Sequence, residues 1–292
     1  MIRVIIALFI IIILISYIKA FNKEFFSQNR KINEDNNLKN KSVVIAGCAK
    51  DIEKDIYITT KKMFDISKLF KKSRIIIFEN DSKDNTLKIL RDFEKQHDNV
   101  IVLSESGLST KKDYTRTCKL AYARNKILQQ IEIENLYDFD FFINLDLDNV
   151  NKNLNIKNVK EQIENNNFEW DVLTANQPSY YDYWALRTKK YNKNCRSKNE
   201  LCINNKMVLS NWFDNLVNKN GNTEYSISVN NSPIQVLSGF GGLGIYKLKS
   251  IKGCKYDSNK FKDVIRNDCE HVFFHKCISD KGGKIFIAPK LI

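Results

Sequence analysis

"DFFINLDLDNV", residues 140–150, is an apolar run that closes on two aspartates one residue apart, Asp146 and Asp148. A short, hydrophobic run of this kind reads as a buried strand over 140–145. A second spaced pair, Asp138 and Asp140, stands at its entrance. In open α/β sheets ligands gather beyond the carboxyl ends of the strands. The upstream pair is therefore expected at a solvated strand entrance, and the downstream pair on the ligand side. Residues i and i+2 of an extended chain point the same way, so Asp146 and Asp148 can address one hard cation. Mg2+ or Mn2+ accepts one or two carboxylates and fills its remaining shell with water and phosphate oxygens.

The segments around this run set the fold class. Upstream, "VVIAG" (43–47), "RIIIF" (74–78) and "NVIVL" (99–103) read as strands, and helical patterns over 51–70, 84–96 and about 116–135 separate them. Strand and helix in alternation predict a doubly wound α/β half with a mostly parallel sheet. Downstream the pattern is less regular. "WDVLTAN" (170–176) predicts a strand and "SYYDYWALR" (179–187) a short helix. Strands over 234–238 and 242–247 flank a glycine-rich turn, a helix covers about 268–280, and "KIFIAP" (284–289) is a last strand.

The 292 residues, 43% hydrophobic and 11% aromatic, suffice for a sizeable core. The net charge of +13 comes mainly from lysine spread along the chain. No nucleic-acid partner is expected from it, although a basic surface favours an anionic ligand such as a nucleotide diphosphate. Residues 2–18, "IRVIIALFIIIILISYI", carry one charge, Arg3. As a helix they reach roughly 25 Å at about 1.5 Å per residue, near the lower limit for crossing a bilayer. A single-pass anchor over 1–20 is expected, then a polar stem over 21–41 and a catalytic domain over 42–292. A cleaved signal peptide and a buried helix are the alternatives. Arg3 and the amino terminus face Lys19 and Lys23 across the span, so charge leaves the orientation open.

The seven cysteines include no C-x-x-C pair, against a zinc ribbon or thioredoxin-like site. Cys195 and Cys202 lie in a polar segment and either close a short loop in an oxidising lumen or remain thiols. Sequons stand at Asn40, Asn80 and Asn230. No glycan is expected at Asn80, because "FENDSKDNT" (78–86) follows a strand, where Glu79, Asn80 and Asp81 can hydrogen-bond a base or ribose. The same turn also suits a helix N-cap by Asp81 or Ser82.

In "AYARNKIL" (121–128), Arg124 and Asn125 lie on the helix before the acidic strand. Arg124 either neutralises phosphate or is an exposed helical cation. "SGFGGLGIY" (238–246) contains four glycines. Gly241 and Gly242 either let backbone amides approach a sugar or phosphate, or make a tight turn. "NDCEHVFFH" (267–275) holds two of the three histidines, and His271 and His275 share one helical face at i and i+4. Glu270 is a candidate general base or acceptor-hydroxyl ligand. One of the two histidines, His271 by preference, is a candidate third metal ligand; both are otherwise surface residues. His97, in "EKQHDN", is expected in a solvent-facing loop.

In this order, "ENDSKDNT", "INLDLDNV", "SYYDYWALR", "VLSGFGGLGIY" and "CEHVFFH" resemble the GT-A class of metal-dependent glycosyltransferases. The motifs in order cover roughly residues 42–290, and the second half resembles more specifically the fungal capsule-associated α-1,3-mannosyltransferase family and its relatives. The resemblance implies a GT-A-like nucleotide-diphospho-sugar transferase fold with a central, mostly parallel mixed sheet. It implies that Asp146 and Asp148 bind Mn2+ or Mg2+ through the donor diphosphate, with Asp148 taking part in catalysis, and that Glu79 and Asp81 lie near the nucleotide. It also implies that Tyr181, Asp182, Trp184 and Arg187 line the sugar or acceptor pocket.

The expected activity is transfer of a hexose, with mannose the candidate the resemblance names, from a GDP- or UDP-hexose to a hydroxyl of a glycan or glycoprotein. The expected setting is a Golgi-like lumen in a eukaryote, or else a viral or bacterial membrane. Two rivals stand beside it. In a haloacid-dehalogenase-like phosphatase, Asp146 would be the nucleophile and Asp148 the acid/base, but that motif normally opens the core fold. A membrane-anchored, non-catalytic glycan- or nucleotide-sugar-binding protein is the other.

Overall fold

A computed structural model describes residues 37–164, 168–177, 182, 184–188, 217–220, 224–258 and 269–292. The expected anchor over 1–20, most of the stem, Tyr181 and the Cys195–Cys202 loop lie outside the described residues. Among the described residues no helix is long and apolar enough to cross a membrane.

The first half alternates as the sequence predicts: β1 (Ser42–Ala49), α1 (Ile56–Ser67), β2 (Lys72–Asn80), α2 (Thr86–Gln96), β3 (Val100–Glu105), α3 (Arg116–Ile133) and β4 (Phe141–Asp146). These four strands are parallel, in the order β3-β2-β1-β4. Alternate strand residues supply two separate cores. Val43, Ile45, Ile75, Ile77, Ile143 and Leu145 face one side of the sheet with Ile56, Met63 and Leu90. Val44, Ala46, Ile76, Phe78 and Phe142 face the other with Ala123, Ile127 and Ile131. A strand covered on both faces needs apolar residues at every position, which is why these segments read as continuous hydrophobic runs.

The second half adds α4 (Ile156–Glu164), β5 (Val172–Ala175), β6 (Val217–Asn220), β7 (Glu224–Ile227), β8 (Ile234–Val236), β9 (Leu243–Lys247), α5 (Leu248–Ile251), α6 (Glu270–Asp280) and β10 (Ile285–Ala288). The main sheet runs β3-β2-β1-β4-β9-β5-β10-β8, and β6 and β7 form a hairpin of their own. β9 lies antiparallel to both β4 and β5, β10 is parallel to β5, and β8 is antiparallel to β10. The sheet is therefore mixed. Three strands precede the one that ends in Asp146, and one neighbour of that strand is antiparallel. This is not the core-opening placement that the phosphatase alternative requires.

Several expectations need correction. The two strands around the glycine turn do not pair, since β9 is interior while β8 pairs with β10. Of the predicted helix over 179–187, Trp184 and Ala185 form a turn, and Arg187 makes a β-bridge with Ser238. Burial of Ala185, Leu186 and Arg187 pulls this stretch alongside the β8 segment. α4 and the β6–β7 hairpin were not expected. α4 buries only Val159, Gln162 and Ile163 within an Asn/Lys-rich segment, a weak periodic signal.

The packed fold also reaches back into the predicted stem. Leu38 is buried in the core, and its N–H donates to Glu164 Oε1 at 3.2 Å. At the strand entrance, Asp140 Oδ2 accepts from Ser42 N and Oγ, both at 2.8 Å, and Asp140 pairs with Lys41 at 3.3 Å. The upstream carboxylate is thus a clamp joining the starts of β1 and β4, rather than a merely solvated side chain. His97 is half-buried, stacked on Phe64 with ring centroids 4.1 Å apart and edge-on to Phe93, not a solvent-facing loop residue.

Cys254 and Cys277 form a disulfide across 23 residues, tying the chain after α5 to α6. Closing a loop of this length removes unfolded-state entropy worth about 3 kcal/mol. The double variant Cys254→Ser/Cys277→Ser is expected to lose about 2–4 kcal/mol in urea unfolding. Reductant should shift the wild-type midpoint but leave the variant's unchanged.

Candidate active site

The chain runs outward from β1 to β2 and β3, then returns to place β4 on the other side of β1. In doubly wound sheets the ligand crevice lies at such a reversal, beyond the carboxyl ends of the strands, which here are those of β1 and β4. Asp146 ends β4 beside Cys48 of β1. Leu147 then turns inward and is buried over Gly47, where a Cβ would lie 2.6 Å from Leu147 Cγ and 2.7 Å from Leu145 O. Only glycine admits that approach, and the inward leucine leaves the two aspartates on the rim. Asp148 is exposed, and its Oδ1 caps the following turn by accepting from Val150 N at 3.1 Å.

The glycine turn holds this tip from the side. Asp146 N donates to Gly242 O at 2.8 Å. The buried Asn151 donates through Nδ2 to both Asp146 O and Gly242 O, each at 2.8 Å. Gly241 and Gly242 have φ of +65° and +86°, and a Cβ on Gly241 would lie 2.4 Å from Ala175 O. Gly241 N donates to Asp182 Oδ2 at 3.0 Å. Of the two readings of the glycines, the structure bears out the tight turn.

Behind the tip lies Arg124, 5% exposed, and not the exposed helical cation that was one alternative. One terminal nitrogen pairs with Glu270 Oε1, and the other with Asp146 Oδ1 at 3.0 Å. The guanidinium lies 5.4 Å from the Phe240 ring centroid and 5.8 Å from that of Tyr256. Burial pushes the Asp146 carboxyl up to about 7; Arg124 pulls it down, and Asp148, Asp182 and Glu270 push it further up. Burial also raises Asp182 above the ordinary carboxylate range, against the hydrogen bond from Gly241.

Glu270 and His271 open α6 and His275 follows one turn later; all three are buried, so neither histidine is a surface residue. His271 stacks on Phe240 with centroids 3.8 Å apart and stands 3.8 Å from Glu270 Oε1. Neither of its ring nitrogens has a hydrogen-bond partner among the described residues. Burial, and then the charge of Arg124, hold its imidazole well below the ordinary histidine range. His275 is satisfied instead, with Nδ1 3.0 Å from Ser238 Oγ and Nε2 3.0 Å from the Tyr246 hydroxyl.

The donor set suits a hard divalent cation. Asp146 and Asp148 each keep one carboxylate oxygen clear of protein hydrogen bonds among the described residues. Two such oxygens plus water and phosphate match the way Mg2+ is held. No three His, Cys, Asp or Glu side chains among the described residues close on a point that would hold a metal ion. His271 is accordingly not brought together with Asp146 and Asp148 as a third ligand.

The predicted nucleotide-side residues are spoken for within the protein. Glu79 is buried and accepts from Ser82 N at 2.8 Å and Ser104 Oγ at 2.6 Å. Asp81 Oδ2 accepts from Ser109 N at 2.7 Å, and its other oxygen accepts from Gly107 N. Burial alone would raise the Asp81 carboxyl, but hydrogen bonds from Asn80, Ser109 and Gly107 hold it far below the usual range. Neither Asp81 nor Ser82 caps α2, whose Thr86 N–H is taken by Asp84 Oδ1. Asn125 spends its amide on Tyr256, donating to its carbonyl at 2.8 Å and accepting its N–H at 2.9 Å. It fastens backbone rather than a ligand.

Trp184 is 38% exposed, whereas Arg187 is buried and donates to the carbonyls of Trp184 and Leu186. Asn151, Phe240 and Tyr256 escaped the sequence reading. Only Asn151 carried a local signal, as an amide in the turn after the acidic pair.

No protein-family model matches the chain, and no curated protein matches it. The likeness to the fungal capsule-associated family therefore stands on the sequence motifs alone. Among solved structures, the chain is similar to the mannosyltransferase PcManGT from Pyrobaculum calidifontis in complex with GDP-Man and Mn2+, at 12% identity over 86% of this chain and 56% of that one, with a TM-score of 0.43. It is similar to S. aureus TarS 1-349 at 15% identity over 85% of this chain and 57% of that one, with a TM-score of 0.42. Glucosyl-3-phosphoglycerate synthase of M. tuberculosis matches over 49% of this chain and 48% of that one, at 12% identity and a TM-score of 0.33. The chain thus spans little more than half the length of the first two.

Burial lowers the His275 pKa from 6.5 to about 3. The folded ring refuses a proton that the unfolded chain accepts below pH 6.5, so this contribution to stability is present above 6.5 and lost as pH falls toward 3. Relative to His275→Gln, the wild type is expected to lose about 1.4 kcal/mol per pH unit within that window. Urea unfolding of both proteins from pH 7 to pH 4 measures the difference.

Proposed function

We propose that the chain is a metal-dependent glycosyltransferase that moves a hexose from a GDP- or UDP-sugar to a hydroxyl of a glycan or glycoprotein. The observation that carries this reading is the placement of Asp146 and Asp148. They stand at the carboxyl end of β4, beside the sheet's reversal point, each with a carboxylate oxygen clear of protein hydrogen bonds among the described residues. In this reading Asp146 and Asp148 hold Mn2+ or Mg2+, which when bound neutralises the departing diphosphate. Asp81 fastens the loop at 107–109, which would border the nucleotide, and Glu79 and Asn80 brace the turn that carries it. The exposed face of Trp184 suits a sugar ring. Mannose is the candidate hexose on the motif resemblance.

Residues 1–20 would anchor the enzyme by a single span. The Cys254–Cys277 disulfide supports an oxidising, lumenal side for the domain. In a eukaryote that is a Golgi-like lumen, and otherwise a viral or bacterial membrane.

The test is a panel of UDP-, GDP- and CMP-sugars with Mn2+, read first by thermal shift and then by release of the nucleotide diphosphate. One donor class should stabilise the protein and be turned over. Asp148→Ala should lower turnover about 100-fold or more, because several kcal/mol of leaving-group stabilisation depend on the ion. Undiminished turnover in that variant would remove the metal assignment.

A further inference from the structure

Glu270 reads from sequence as the general base. Its surroundings point elsewhere. It is 3% exposed, one oxygen is taken by Arg124, and the other lies 3.7 Å from Cys269 Sγ. A base must reach a substrate proton through an open oxygen, and Glu270 offers none to the crevice. It does control Arg124. A guanidinium presents paired N–H groups that match both oxygens of one carboxylate, and the bidentate pair is the favoured geometry. Here the fork is divided, with Nη1 on Glu270 and Nη2 on Oδ1 of Asp146. The aromatic rings of Phe240 and Tyr256 flank the guanidinium. Asp146 therefore gives Arg124 a single oxygen.

We infer that Glu270 is a positioning residue. It holds one arm of Arg124 so that the guanidinium cannot close on both oxygens of Asp146, and Oδ2 stays open to a divalent cation. With the Glu270 charge removed, Arg124 keeps its own charge and has Asp146 as its remaining carboxylate partner. It then competes with the metal for that side chain. With both charges removed, the competitor is gone as well. The inference rests on the proposed function only for the use to which the cation is put.

The experiment measures Mn2+ binding to the full-length chain in detergent, by the loss of the free-ion paramagnetic resonance signal and without nucleotide. It compares wild type, Glu270→Gln, and the double variant Arg124→Met/Glu270→Gln. Glu270→Gln should weaken Mn2+ binding about tenfold or more, since a bidentate guanidinium now covers Asp146. The double variant should bind Mn2+ at least about threefold more tightly than the single variant, because the competing guanidinium is gone, although Asp146 also loses its counter-charge, and it should turn over donor faster than the single variant.

Unchanged Mn2+ affinity in Glu270→Gln would overturn the inference. So would a double variant that binds Mn2+ like wild type yet turns over no faster than the single one, a result that would restore Glu270 as the base. If the single variant does not fold, the double variant decides, with loss of Mn2+ binding counting against the inference and retention for it. A wild type that binds Mn2+ but turns over no nucleotide sugar would defeat the glycosyltransferase reading and leave the Mn2+ comparison to judge Glu270.

Discussion

The buried guanidinium of Arg124 ties together three elements that are distant in sequence. It leaves α3, meets Asp146 at the tip of β4 and Glu270 at the start of α6, and lies within 5.8 Å of the ring centroids of Phe240 and Tyr256. A cation taken out of water at this depth is tolerated only when paired, and losing one partner of such a pair costs about 3–5 kcal/mol. α3, β4 and α6 must therefore arrive together. The next residue serves the same junction, because Asn125 secures the backbone of Tyr256, and the Tyr256 hydroxyl lies 3.3 Å from Asn144 of β4.

The acidic tip is built by backbone geometry as much as by charge. Gly47 lets Leu147 sink, Asn151 bonds two carbonyls at once, and the left-handed pair Gly241 and Gly242 brings a carbonyl within reach of Asp146 N. Each contact fixes where the carboxylates sit before any ligand arrives. A site that must meet a charged ligand gains from this, since no reorganisation is left to be done when the ligand binds. The cost is carboxylates drawn partly out of water, and then crowded together, visible in the raised proton affinity of Asp146 and Asp182.

The neighbouring histidines differ in how their buried rings are satisfied. His275 has both nitrogens occupied and joins α6 to Ser238 and to Tyr246 of β9. His271, one turn earlier, is equally buried with both nitrogens free among the described residues. A neutral imidazole held by stacking on Phe240 and left without partners is a costly arrangement, and it lies beside the ion pair behind the acidic tip.

The order of strands and helices up to Asp146 was legible in the sequence, because strands covered on both faces must be apolar throughout and the helices between them are periodic. That Asp146 stands at the carboxyl end of β4 and Asp140 at its start was legible too, since strand direction alone sets it. The second half was not. β9 runs antiparallel in the interior, and its pairing with β4 and β5 depends on partners that no local pattern names.

Nor could spacing show that Arg124 joins Asp146 and Glu270, which lie 22 and 146 residues away in the chain. The same limit hid the uses of Asn125, Asp81 and His97, whose polar side chains read locally as ligand-binding or solvated. Sequence determines which groups are present and how each segment folds. Which buried charges meet is decided only when the packed helices and sheet exclude water and leave each charge no partner except the others.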